Sequence, residues 1–472
     1  MGKPAGFQEH ARQEPPHRAV GERVGDHREV ELPLPLEELL SQAARCMDCG
    51  VPFCHGAGCP LANRIPEFND LVYNGRWEEA CRVLHATNNF PEITGRVCPA
   101  LCEAACTLNL AGEPVLVRHI EVQIAERGFG EGWIRPEPAP RKTGRRVAVV
   151  GSGPAVLAAA QQLARAGHEV VVFEKDHRPG GLLRYGIPDF KLDKRILDRR
   201  LAQLGAEGVR FETDVTIGQD LSVKYLRSHF HAVCLTLGAG EPRDLAVPGR
   251  GLEGVHFALD YLRQQNRLNA GEELAAGEPR ITAQGRVAVI IGGGDTGSDC
   301  VGTAVRQGAR QVHQLEILPQ PPERANPETP WPQWPRILRT STSHEEGCQR
   351  RWSVLTRRLA GAEVQVHELH GVEVEWRGAD GRWTMHERPG TEFHMPADLV
   401  LIAMGFIHVA HGPLVSALGL SLDDRGNIAT TDYQTSEPGV FAAGDAALGA
   451  SLVVKAIAEG RQAAEAIDRW ME

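Results

Sequence analysis

No stretch of this chain approaches the ~20 consecutive apolar residues that a membrane-spanning helix needs. Its first residues, MGKPAGFQEHARQEPPHR, lack the apolar core of a secretory signal. Basic excess is missing too: the formal net charge is −10, whereas nucleic-acid binders usually carry a basic face. Short tandem repeats and low-complexity tracts are also lacking. The expectation is a cytoplasmic protein with neither a membrane nor a nucleic acid as partner. With 472 residues the chain exceeds one compact core, and at about 100–200 residues per domain two to four domains are expected. Hydrophobic residues at 42% and charged residues at 24% are ordinary for a folded chain.

Cysteine is plentiful, with eleven residues. In a cytoplasmic chain these are not expected to be disulfides. Seven gather in two groups, Cys46-x2-Cys49-x4-Cys54-x4-Cys59-Pro60 and Cys98-Pro-Ala-Leu-Cys102-x3-Cys106. Cys81, Cys234, Cys300 and Cys348 are scattered. Grouping at close spacing points to metal. Iron–sulfur clusters take four thiolates each, and a short Cys-x2-Cys loop lets two sulfurs converge. Zinc also uses Cys-x2-Cys, normally as two such pairs, and inert buried thiols are the plainest alternative. Seven cysteines do not complete two four-ligand clusters. Either one cluster has a ligand that is not cysteine, or only one cluster exists.

Residues 1–140 form a first unit, with amphipathic helices expected over Leu36–Met47 and Asn74–Thr87 from apolar residues three and four apart. Trp133–Thr143 holds three prolines and reads as a linker. The pattern then changes. Arg146–Val150 is a β-branched run ending in Gly-Ser-Gly, followed by a helical stretch and a second such run, Glu169–Phe173. That is a βαβ unit. The same grammar returns at Arg286–Ile291 and Val312–Leu318, so two nucleotide cofactors are implied. Polar Arg263–Ile281 between them reads as a domain crossover.

In the first unit Gly151-Ser-Gly153-Pro154-Ala155-Val156 approximates the G-x-G-x-x-G fingerprint. The first glycine permits the tight turn, the second admits the pyrophosphate, and the third lets helix and strand pack closely. Phosphates then sit on the helix N-terminus. Glu174 stands where an acid binds a ribose hydroxyl. Val156 breaks the third position, and a branched side chain there is expected to push the helix from the strand or crowd the nucleotide. Gly180-Gly181-Leu182, Gly238 and Gly444-Asp445 accompany the motif; each alone is a simple turn, and together they favour FAD. In the second unit Gly292-Gly293-Gly294-Asp295-Thr296-Gly297 satisfies all three positions. Glu316 at its strand end points to NAD, while Arg306 or Arg324 could bind the 2′-phosphate of NADP. The residues leave that choice open.

The runs ARCMDCGVPFCHGAGCPLANRIPEFNDLVYNGRWEEA, HATNNFPEITGRVCPALCEAAC, GGLLRYGIPDFKLDKR, GGGDTGSDCVGTAVRQGA and SLVVKAIAEGRQAA resemble the small (beta) subunit family of NADPH-dependent glutamate synthase. The resemblance covers nearly the whole chain. The module is also similar to the N-terminal half of dihydropyrimidine dehydrogenase, and its nucleotide domains to adrenodoxin reductase. The resemblance implies an α/β protein with a helical N-terminal iron–sulfur domain (1–140) and two Rossmann-like domains. FAD would be bound by 141–262 and 396–472, and NADPH by 263–395. Two [4Fe–4S] clusters are implied, one on Cys46, Cys49, Cys54 and Cys106, the other on Cys59, Cys98 and Cys102 with Glu121 as fourth ligand. FAD would lie on Gly151–Ala155, Glu174, Gly181, Leu182, Lys191, Gly238, Gly444 and Asp445. NADPH would lie on Gly293–Thr296 and Arg324, with Ala403-Met404-Gly405 near the nicotinamide. The partner implied is the large (alpha) subunit, where glutamate forms from glutamine and 2-oxoglutarate. Hydride transfer between nicotinamide and flavin needs no acid–base pair, so no catalytic side chain is expected. Three places depart from the family pattern: Val156, the stretch Ala446–Ala450 and Lys455. A related reductase of the same build serving another acceptor is one alternative; a scaffold subunit impaired in flavin binding is another, which Val156 keeps open.

Overall fold

The computed structural model describes residues 3, 5–324, 327–379 and 382–472. The N-terminal unit is helical. Ile65–Tyr73, Trp77–His85, Pro91–Val97 and Val117–Gly130 are its main helices, joined by Leu36–Ala44. Both expected helices are present but shorter than their apolar periodicity suggested. The first stops at Ala44, so that Cys46 begins an irregular loop; the second starts at Trp77, after a left-handed Gly75 (φ +73°). Leu39, Phe68, Trp77, Leu84, Ile120 and Ile124 form the core, with Cys46, Cys102 and Cys106 at its edge.

Two five-stranded parallel sheets follow, built to one plan. In the first the strand order is Val440–Ala442, Ala232–Leu235, Arg146–Val150, Glu169–Phe173, Val209–Glu212. In the second it is Val255–Phe257, Leu399–Ile402, Val287–Ile291, Gln311–Leu315, Gln349–Arg351. The fingerprint strand is central in both. Continuous β-branched runs suit such strands, because a parallel sheet is covered on both faces. Ligands of parallel sheets bind beyond the carboxyl ends of the strands, which is where both glycine loops sit. A smaller antiparallel sheet built on Val354–Ala362 and Gln365–Ala379 extends the second unit.

The pairing shifts two expected boundaries. Val255–Phe257 and Leu399–Ile402 both pair within the second sheet, so divisions at 262 and 395 cut through it. Composition could not reveal this, since the runs carry no label of the sheet they join. The crossover Arg263–Ile281 is also partly helix: Ala258–Asn269 is helical and buries Ala258, Tyr261 and Leu262. Its polar residues are not linker-like, for Asn266 donates to the Ile187 carbonyl (3.1 Å) and Gln264 to that of Pro279 (3.0 Å). Among the described residues, no helix is long and apolar enough to cross a membrane.

Candidate cofactor sites

The first glycine of each fingerprint does the same work. Gly151 (φ +105°) and Gly292 (φ +123°) turn sharply off their strands. A Cβ would fall 2.7 Å from the Thr236 carbonyl oxygen at the first and 2.2 Å from that of Ala403 at the second. Gly153 and Gly294 then cap helices Pro154–Arg165 and Asp295–Arg306 with closely similar backbone, φ −71° ψ −175° and φ −81° ψ −174°. Nothing lies within 4 Å of a Cβ built on either, leaving the helix N-termini open to a pyrophosphate.

The acids at the strand ends hold their loops in place. Glu174 accepts from the Ser152 hydroxyl and from the Asp176 N–H (2.8 Å). Ser152 in turn accepts from the N–H groups of Gly180 (2.8 Å) and Gly181 (3.2 Å). Gly181 (φ +52°) crosses so close to the fingerprint that a Cβ would meet the Gly153 Cα at 2.9 Å. Glu316 accepts from the N–H groups of Gly293 (2.7 Å) and Leu318 (2.9 Å). This hook ends the strand at Leu315, short of the expected Leu318. Burial pushes the Glu174 carboxyl up, against the bonds from Ser152 and Asp176.

At the third position the units diverge. A Cβ on Gly297 would meet the Gly292 carbonyl oxygen at 2.4 Å and the Gln314 amide nitrogen at 2.6 Å. That amide donates to the Gly292 carbonyl (2.9 Å). Two residues before Glu174, the place corresponding to Gln314 is held by Val172, which shares a core with Val156. Val156 is 0% exposed. Its side chain belongs to the core beneath the fingerprint helix. A lone polar residue in the apolar strand Gln311–Leu315 was the available signal for Gln314.

The remaining first-unit residues converge. Gly444 (φ +64°) brings its chain so near the fingerprint helix that a Cβ would meet the Ala155 Cβ at 2.9 Å. Asp445, its carboxyl pushed up by burial, accepts from the Ser451 hydroxyl (2.7 Å). Gly238 (φ +75°) follows the strand Ala232–Leu235. In the second unit, the Ala403 N–H donates to the Ile291 carbonyl (2.8 Å), and that of Arg243 to the Gly405 carbonyl (2.9 Å), placing Ala403-Met404-Gly405 beside the fingerprint. Arg306 is not available to a phosphate. Its side chain is 0% exposed, paired with the equally buried Glu346 and stacked over Phe190 at 3.9 Å. Arg324 is exposed.

The cysteines fall into two sets. Cys46, Cys49, Cys54 and Cys106 line one small cavity, walled by Ile65, Val115 and Val117. Asp48 (φ +52°) and Ala100 (φ +66°), each inside a cysteine pair, adopt left-handed backbone, a strain that concentrates at functional sites. Gly58 lets Cys59 approach the helix Leu101–Ala104; a Cβ there would meet the Cys102 Cα at 2.8 Å. Burial pushes the thiols of Cys59 and Cys98 up to about 12 and about 11, and that of Cys102 well up. The neighbouring Glu121 carboxylate adds to each. Glu121 is itself pushed up to about 7 by burial, although Asn63 donates to it (2.8 Å). Cys46 rises to about 12, again through burial. Buried thiols in such number do not ionise together without a cationic core; a bound metal deprotonates them outright. Among the described residues no three His, Cys, Asp or Glu side chains converge closely enough for a single ion. Four cysteines around one cavity are the donor set that an iron–sulfur cluster takes.

A chamber of about 620 Å³ joins all three units. Val97 and Pro99 border it from the cysteine domain, Leu182 and Leu452 from the first nucleotide unit, and Asp295 and Thr296 from the second. Lys191 also borders it and pairs with Asp299 at 2.5 Å, linking the two nucleotide units.

Comparison with known proteins agrees with this layout. Residues 23–133 match the family described as dihydropyrimidine dehydrogenase domain II, 4Fe-4S cluster. Residues 145–460 match the pyridine nucleotide-disulphide oxidoreductase family. A glutamate synthase [NADPH] small chain of Mycobacterium tuberculosis is 52% identical over the whole of this chain and 96% of its own. The chain belongs to the glutamate synthase small-chain family. A second member, the glutamate synthase [NADPH] small chain of Bacillus subtilis, is 45% identical over 100% of this chain and 99% of its own. Among solved structures, Mycobacterium tuberculosis FprA in complex with NADPH superposes with a TM-score of 0.54 at 19% identity. It covers 69% of this chain and 84% of that one, and so shares the fold of the nucleotide units. As a family member the chain is an oxidoreductase with an iron–sulfur domain joined to a pyridine-nucleotide reductase.

Proposed function

We propose that this chain is the electron-input subunit of a glutamate synthase: it oxidises NADPH and delivers electrons to a large partner chain that forms glutamate. The chamber carries this reading, because the cysteine domain, the Leu182–Lys191 and Ser451–Val453 segments of the first nucleotide unit and the second fingerprint helix all border it. When bound, nicotinamide and flavin supply the hydride transfer and iron–sulfur clusters carry single electrons.

FAD is assigned to the first unit, on Gly151, Gly153, Pro154, Ala155, Glu174, Gly181, Leu182, Lys191, Gly238, Gly444 and Asp445. Val156 supports this site from the core. NADPH is assigned to the second unit, on Gly292–Gly297, with Arg324 toward the 2′-phosphate and Ala403-Met404-Gly405 toward the nicotinamide. The preference for NADPH follows the names of the bacterial relatives and runs against the acidic Glu316. Cys46, Cys49, Cys54 and Cys106 hold one [4Fe–4S] cluster. Cys59, Cys98, Cys102 and Glu121 hold another, with Asn63 fixing the carboxylate. Cys59 and Cys98 pack against a core that Leu61, Phe90 and Ile93 share with the first nucleotide unit, which puts this set on the side of the flavin unit.

The full chain is expected to oxidise NADPH with an artificial electron acceptor. It is also expected to make no glutamate from glutamine and 2-oxoglutarate unless its large partner is added. Glutamate formation by the chain alone would contradict this division of labour.

A further inference from the structure

The loop after Glu316 leaves the second nucleotide unit and reaches the first set of cysteines. Trp331 donates from its indole nitrogen to the Cys106 carbonyl (3.3 Å). Its ring lies 4.6 Å from that of Phe53, between Cys49 and Cys54. Indole N–H groups need an acceptor when half-buried, and here the acceptor belongs to a cysteine of the set.

The loop is fastened at both limbs. The Leu338 N–H donates to the Pro322 carbonyl (2.8 Å), closing the loop at its base. Beyond it, the Ser341 hydroxyl meets that of Ser298 on the second fingerprint helix (2.6 Å). His344 bonds the Ser341 hydroxyl (3.1 Å) through Nδ1 and the Gln314 side-chain oxygen (2.8 Å) through Nε2. Gln314 is the residue that grips the Gly292 carbonyl. One hydrogen-bonded path therefore runs from the nucleotide fingerprint to the limb of the loop that carries Trp331.

We infer that Trp331 is a positioning residue for the first cluster: a cap, supplied by the nucleotide domain, that pins the Cys106 segment and keeps water from the Cys46–Cys106 site. The inference rests on reading these four cysteines as a cluster site. Solvent access is one determinant of cluster potential and stability. Water stabilises the more highly charged reduced state, so uncapping raises the potential of this cluster and exposes its iron.

The test uses the full chain, loaded with iron and sulfide under anaerobic conditions. Trp331→Phe keeps a ring against Phe53 and removes the donor; Trp331→Ala removes both. Release of iron to a chelator in air is followed, alongside a redox titration monitored by electron paramagnetic resonance. About half of the roughly eight iron atoms expected of two cubane clusters should leave several-fold faster in Trp331→Ala, with Trp331→Phe between it and the parent. One potential should rise and the other stay. Trp334→Phe, whose ring lies against Arg339, should behave as the parent. Parental release rates and potentials in both Trp331 variants would overturn the inference, as would equal loss of both clusters in Trp331→Phe. A parent that binds no iron would instead remove the cluster reading itself.

Discussion

In the first nucleotide unit Val156 fills the space under the fingerprint helix; in the second, Gly297 leaves that space to the amide of Gln314. Both units have the same strand order and the same turn at their first glycine. The third position is therefore not a fixed requirement for glycine. It is one half of a pair whose other half stands on the neighbouring strand, two residues before the acid. A small residue suits a long polar partner, and a valine suits Val172. The units also differ in how they are fastened to the N-terminal domain. Arg200 of the first forms a buried two-pronged pair with Glu92, both bonds 2.7 Å. Arg306 of the second shares Glu346 with Arg23, which donates at 2.7 Å.

The largest effect should come from moving the first unit's residue into the second. Gly297→Val drives a side chain into the Gly292 carbonyl and the Gln314 amide. NADPH oxidation should be lost while flavin is retained, as read by steady-state rates and the flavin spectrum. Adding Gln314→Val should restore part of the activity. No recovery at all would break the pairing argument.

Next in size is the fastening of the first unit. Glu92→Ala leaves Arg200 charged and buried without its partner, and removing one member of such a pair typically costs about 3–5 kcal/mol. Denaturant unfolding should show a loss of that order. A loss under about 1 kcal/mol would mean that water reaches Arg200 and that the pair is no anchor.

The reverse exchange, Val156→Gly, should be milder for function. It opens a small cavity and adds backbone freedom, costing about 2–4 kcal/mol of stability. Flavin retention on gel filtration should not improve. Tighter flavin binding in this variant would show that valine does obstruct the site.

The smallest effect is on pH. Burial, with Arg200 beside it, holds His85 down to about 4, and burial, with Arg350 and Lys191, does the same for His344. Each is neutral when folded and takes a proton near 6.5 when unfolded. The unfolded chain therefore binds more protons between these values, and stability falls as pH drops from about 6.5 toward 4. A thermal midpoint that holds constant across that window would count against the buried state of these histidines.

Much of this was legible in the residues. Arg146–Val150 and Glu169–Phe173 are strands over the expected bounds, because short β-branched runs have few other uses. Cysteine spacing announced a metal site, but which cysteines share a cavity depends on loops folding back, as Cys106 does onto Cys46. Sheet membership of Val255–Phe257 and Leu399–Ile402 was hidden for the same reason: strand partners distant in sequence leave no local mark. Arg306 could be offered as a phosphate ligand or as a solvated surface residue, because burial cannot be read from an isolated arginine. Val156 looked like a defect because the apolar core it joins, Val172 included, is built from elements distant in the sequence.

The central claim is that one chain holds a flavin and two clusters, in units that border one shared chamber. It is tested most directly by quantifying flavin, iron and zinc on the full chain purified anaerobically, and on Cys46→Ala and Cys59→Ala. The account predicts about one flavin and about eight iron atoms in the parent, and about four iron atoms in each variant with flavin unchanged. Stoichiometric zinc without iron, or loss of all iron in both variants, would contradict it.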